Sequence, residues 1–122
     1  VFMLTGDGAF GFNGMEFDTA VRHGLNIVAI VGNDSAWGID RQIQLGLYGR
    51  AVATDLRQSR YEQIVQGLGG YGEFVERPED LKPARERALP AGKPALLNVA
   101  VERAISPRAE AAIGRRKAAA PK

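Results

Sequence analysis

Four short apolar runs, separated by helix-forming stretches, constrain this chain more than any other feature. They are Val1–Leu4, Leu25–Val31, Tyr71–Val75 and Pro94–Val101. Each is too short for a typical buried helix, and two are almost continuously apolar, as strands covered on both faces are. Between them the spacing becomes helical. Phe17, Ala20 and Val21 recur at that spacing, and Gly24 stops the pattern. Asn13 with Glu16, and Ser59 with Glu62, have the spacing of capping boxes and predict helix starts. Tyr61, Ile64, Val65 and Leu68 share a face of the second helix, and Pro78–Leu89 forms a third if Pro83 falls near its first turn. Residues 32–55 read as a polar loop. The order strand, helix, strand, long loop, helix, strand, helix, strand predicts a three-layer α/β fold. Its sheet is mostly parallel, with helices on both faces.

The 122 residues suffice for about one domain. The formal charge of +2 is concentrated after the last apolar run, at Arg103, Arg108, Arg115, Arg116, Lys117 and Lys122. The remaining body is about neutral or slightly acidic, which argues against a nucleic-acid surface. Residues 1–105 are expected to form the domain and 106–122 a flexible basic tail. The chain has no cysteine, so it has neither a disulfide frame nor a thiolate metal site, which fits a reducing cytoplasm. No apolar stretch reaches the roughly 18 residues of a membrane span. The chain opens inside an apolar run at Val1, without a charged leader, and is expected to be part of a longer protein.

In a parallel sheet ligands bind beyond the carboxyl ends of the strands. Gly6-Asp7-Gly8 and Asn33-Asp34 each follow a predicted strand. The glycines allow a sharp turn that presents bare amides to an anion, and the helix behind adds its positive end. Asp7 and Asp34 supply hard oxygen ligands of the kind magnesium takes when it bridges phosphates. Either feature alone could be an ordinary turn, and Asp34 could simply cap one. His23, the sole histidine, falls at a helix end, where it satisfies the dipole at the surface. Arg85-Glu86-Arg87 reads as a solvated helix face, and Phe10 and Phe12 as core contacts.

Gly6-Asp7-Gly8-Ala9-Phe10, then Gly14-Met15-Glu16, then Asn33-Asp34 and Trp37-Gly38, resemble the two-part motif of thiamine diphosphate enzymes. The resemblance runs from about residue 1 to 102 and is to the decarboxylase and carboligase branch. That branch includes acetolactate synthase, benzoylformate decarboxylase, oxalyl-CoA decarboxylase and 2-hydroxyacyl-CoA lyase. It implies Mg2+ held by Asp7, by Asp34 and by the Ala36 carbonyl. Asp34 stands where the family usually has asparagine, which adds a negative charge near the diphosphate. An alternative keeps Asn33 as the ligand, with Asp34 facing away. Gly6, Gly8, Ala9, Trp37 and Gly38 would bind the cofactor, Gly8, Ala9, Trp37 and Gly38 through their amides. The Trp37 ring would border the thiazolium or substrate pocket, or pack beneath the loop. Ile39, Asp40 and Arg41 lie where the family shapes substrate access.

The resemblance further implies that the cofactor carries the chemistry and that this segment grips its diphosphate. The activating glutamate would lie in a separate N-terminal domain, usually from the partner subunit of a homodimer or homotetramer. The segment alone is therefore expected to be inactive, and no residue in it is assigned a catalytic role. The expected substrate is a 2-keto acid, as in acetolactate synthase relatives, or an acyl-CoA, as in the lyases. Rival classes are a metal-dependent phosphoryl-transfer enzyme and a flavodoxin-like nucleotide binder. The first would need a nucleophile or a phosphate-binding lysine near the aspartates, and neither loop contains a lysine. The second would bind without metal. The P-loop and dinucleotide fingerprints are both absent.

Overall fold

The computed structural model describes residues 1–119. Its strands are β1 (Phe2–Gly6), β2 (Val28–Asn33), β3 (Tyr71–Val75) and β4 (Ala95–Ala100). All pair in parallel, in the order β1-β2-β4-β3, so the last strand in the chain lies between the second and third. Alternate residues of the central strands feed opposite faces, as the twofold strand period requires. Ala29, Val31 and Leu96 pack with Phe10, Phe17 and Val65. Those partners come from α1 (Asp7–Asn13), α2 (Glu16–Arg22) and α4 (Tyr61–Gly67). On the other face Val28, Ala95 and Leu97 pack with Val75 and with Ala84 and Ala88 of α5 (Leu81–Ala88). The predicted architecture, with helices on both faces, is the one observed.

Several boundaries differ from expectation. The first helix begins at Asp7, because Gly6 is still extended and a carboxylate is favoured in a helix's first turn. Asn13 ends that helix instead of capping the next, whose N-cap is Met15. Ser59 likewise caps nothing. Glu62 turns inward to Asn98, and Arg60 is the N-cap of α4. The predicted loop at 32–55 contains a helix, α3 (Gly38–Tyr48), whose apolar residues Ile39, Ile43 and Leu47 recur every fourth position. Pro83 falls in the first turn of α5, where its missing N–H costs no hydrogen bond.

The predicted flexible tail is corrected over most of its length, since residues 107–119 form α6 (Pro107–Ala119). Pro107 suits a first helical position. Ser106 Oγ accepts the Ala109 N–H at 3.1 Å, the N-cap arrangement. Ala109 and Ile113 are buried, and Ile113 presses against Gly46 of α3. Residues 120–122 of that expected tail lie outside the described residues.

Candidate functional site

The sheet register sets the site. Gly6 of β1 pairs with Gly32 of β2, so Asp7 and Asn33-Asp34 leave neighbouring strands side by side. Asp7 is buried at the start of α1. The N–H of Ala36 donates both to Asp7 Oδ2, at 3.2 Å, and to Asp34 Oδ1, at 3.1 Å. Two carboxylates thus converge on one amide. Burial, and then the negative charge of Asp34, hold the Asp7 carboxyl above its ordinary pKa, while the Gly8 and Ala36 amides pull it back.

The loop between β2 and α3 is fixed on two sides. Trp37 N–H donates to the Thr54 carbonyl, and Leu56 N–H to that of Ser35, both at 2.8 Å. This pattern makes Ala36 the partner of Asp55 in an antiparallel bridge. The N–H and C=O of Ala36 therefore point away from Asp55, to the side of Asp7. Among the described residues no hydrogen bond occupies the Ala36 carbonyl. Opposite, Arg103 donates to the carbonyl oxygens of Asp34 at 2.7 Å and Ser35 at 2.5 Å, and to Asp55 Oδ1 at 2.7 Å.

Asn33 faces the interior. Its Nδ2 donates to Asn98 Oδ1 at 3.1 Å and to the Ser59 carbonyl at 3.2 Å, while its Oδ1 accepts the Ser35 N–H at 3.1 Å. Every polar atom of its amide is engaged, so of the Asn-Asp pair it is Asp34 that faces the cavity. Asp34 Oδ2 lies only 2.5 Å from where a Cβ on residue 38 would stand, a space that glycine leaves open.

The residues expected to hold the metal and cofactor line one cavity of about 400 Å³: Gly6, Asp7, Gly8, Ala9, Asp34, Ala36, Trp37 and Gly38. Asn33 does not line it, and Arg41 pairs with Asp55 instead. Ile39, Asp40 and Val101 complete its wall. Trp37 both packs and lines. Its ring covers Gly8, where a Cβ would meet Cδ2 at 2.9 Å, and it meets Phe12 edge-on at 5.1 Å. The Trp37 amide, expected to face the diphosphate, is instead committed to Thr54. Phe12, expected in the core, is 73% exposed, whereas Phe10 is buried as expected. His23 is the exposed C-cap of α2. Sequence reasoning missed Arg103, Asn98 and Glu62. Only Asn98 carried a signal, as a polar residue inside an apolar strand.

Among the described residues no three His, Cys, Asp or Glu side chains cluster as a closed metal cage. Two carboxylates and a free carbonyl are, however, a protein share suited to magnesium that completes its shell on phosphate oxygens. The donor set therefore fits a magnesium diphosphate.

Residues 1–99 match the family model of the thiamine pyrophosphate enzyme, C-terminal TPP binding domain. The chain belongs to this family. This TPP-binding domain is 46% identical over 107 residues to a probable acetolactate synthase of Mycobacterium bovis, covering 87% of this chain and 20% of that protein. It is 35% identical over 109 residues to human 2-hydroxyacyl-CoA lyase 2, covering 84% of this chain and 17% of the lyase. The crystal structure of benzoylformate decarboxylase from Polynucleobacter necessarius shares the fold. Its TM-score is 0.80 at 23% identity, over 88% of this chain and 20% of that one. The domain thus spans about a fifth of the length of the relatives it matches. No helix among the described residues is long and apolar enough to cross a membrane.

Proposed function

We propose that this domain holds thiamine diphosphate through Mg2+, with Asp7, Asp34 and the Ala36 carbonyl as the protein's metal ligands. The observation that carries this reading is the convergence of the Asp7 and Asp34 carboxylates on the Ala36 amide at one lip of the cavity. Two carboxylates facing a phosphate would repel it without a cation between them. That argues against a metal-free flavodoxin-like nucleotide site. Gly6 lets β1 end against the ligand. The first-turn amide of α1 at Ala9, and that of Gly38 at the start of α3, face the diphosphate with their orphan N–H groups, and the Gly8 amide lies beside them at Asp7. The Trp37 ring closes the floor over Gly8, and Ile39 and Asp40 border the substrate side.

When bound, the thiazolium supplies the carbanion-stabilising chemistry. This domain's residues anchor and orient it. The whole protein is proposed to be a cytoplasmic homodimer or homotetramer that acts on 2-keto acids as a carboligase or decarboxylase, in the manner of acetolactate synthase. The 46% identity to acetolactate synthase relatives favours this reading. The 2-hydroxyacyl-CoA lyase relatives support a second, with an acyl-CoA substrate.

The test is calorimetric titration of the full-length protein with thiamine diphosphate, with Mg2+ or with EDTA. Binding should require Mg2+ and be lost in Asp7→Ala; metal-independent binding overturns the metal reading. Turnover of pyruvate against a 2-hydroxyacyl-CoA then separates the two reactions.

A further inference from the structure

Behind the metal loop lies a polar chain that the ligand set does not use. Glu62, on α4, is 2% exposed, and Asn98, on β4, is fully buried. Asn98 Nδ2 donates to Glu62 Oε2 at 2.7 Å and to the Ser59 carbonyl at 3.0 Å. Its Oδ1 accepts from Asn33 Nδ2, and Asn33 Oδ1 accepts the Ser35 N–H. The chain ends one residue from Ala36, in a loop where Ser35 has a φ of 56°. That left-handed conformation is costly for serine and must be held by its surroundings.

The direction of the chain matters. An amide side chain can be turned end over end at little steric cost, exchanging donor and acceptor. Glu62 and the Ser59 carbonyl together remove that freedom, because Asn98 Nδ2 donates to both and each accepts there. Arg60, whose guanidinium can only donate, pairs with the other oxygen of Glu62 and so also faces it as an acceptor. Asn98 must then present its NH2 to Glu62 and its oxygen to Asn33. Asn33 must in turn present its NH2 inward and its oxygen to the Ser35 amide. Reversing any member would set acceptor against acceptor inside the core, at the cost of an unpaired buried polar group.

We infer that Glu62 is a positioning residue for the metal site: through Asn98 and Asn33 it fixes the Ser35 turn that aims Asp34 and Ala36. This rests on the magnesium reading above. Charge-assisted partners behind a ligand commonly alter metal affinity without touching the metal.

The experiment measures Mn2+ affinity by electron paramagnetic resonance in the full-length protein with saturating thiamine diphosphate, beside each variant's melting temperature. Glu62→Leu should weaken Mn2+ binding about tenfold or more. Glu62→Gln, equal in shape but able to turn over, should weaken it about threefold to fivefold. Val65→Ala, one turn further along α4, should lower the melting temperature but leave Mn2+ affinity within about twofold. If both Glu62 variants bind Mn2+ as the unsubstituted protein does, the inference is overturned. So it is if Val65→Ala weakens binding as much as they do. Should Glu62→Leu fail to fold, Glu62→Gln decides alone. A lack of thiamine diphosphate-dependent Mn2+ binding in the unsubstituted protein would instead overturn the magnesium reading itself.

Discussion

Asp7 is held in a state that suits a cation and not the empty fold. Its carboxyl titrates above its ordinary value of 3.8 because it is buried and faces Asp34. Ionising it therefore opposes folding of the metal-free protein. The stability it withholds is fully present below about pH 3.8 and is lost as pH rises through the raised value. Asp7→Asn should raise the melting temperature of the metal-free full-length protein at neutral pH by a few degrees. The gain should vanish toward pH 4, and Mg2+-dependent cofactor binding should be lost. Calorimetric scans with and without EDTA across that range check both signs. The neighbouring pair gives opposite outcomes. Asp34→Asn keeps an oxygen and removes a charge, so thiamine diphosphate affinity should be kept or should rise. Asn33→Asp sets a carboxylate against Asn98 Oδ1 and the Ser59 carbonyl, and should cost about 2–4 kcal/mol in chemical denaturation. At this scale the ligand candidates were legible because their chemistry is local: glycine, carboxylate, strand end. Glu62, Asn98 and Arg103 were not, because their partners lie 36 to 69 residues away and nothing in one dimension marks the meeting.

Among the elements, strands and helix faces were legible wherever period and burial agreed, as in Tyr71–Val75, whose predicted limits match β3. Elements failed where glycine interrupted the pattern. Gly38 and Gly46 hid α3, and an Ala- and Arg-rich composition hid α6, which gains its order from α3. That dependence is testable. Ile113→Ala should release α6, so amide hydrogen exchange over residues 107–119 should accelerate by about tenfold or more while β2 and β4 stay protected. A second tie joins β3 to α5 through Glu73 and Arg87. The Arg87 guanidinium holds the Glu73 carboxyl below its ordinary value of 4.5. The stability it gives is present above that value and is lost as pH falls through the lowered one. Arg87→Ala should therefore move the acid-unfolding midpoint to slightly higher pH. The shift should be small, since the arginine is half exposed.

For the whole molecule, the sheet ends in two edge strands, β1 and β3, each paired on one side, and β1 is the more exposed. On β1, Phe2 is 54% and Leu4 78% exposed, and the strand pairs on one side only. An open apolar edge invites pairing between chains. Expressed alone, residues 1–122 should self-associate at micromolar concentration, and Leu4→Lys should reduce it, as light scattering would show. The pairing of Gly6 with Gly32 reaches beyond architecture. Because the carboxylates leave adjacent strands, their separation is measured out by backbone hydrogen bonds, and a slip of one residue between β1 and β2 would pull them apart. With the ligand set proposed above, only a correctly aligned chain would chelate the ion, so the cofactor would act as an assembly inspector and reward the native alignment with mass-action stabilisation that misaligned chains never receive.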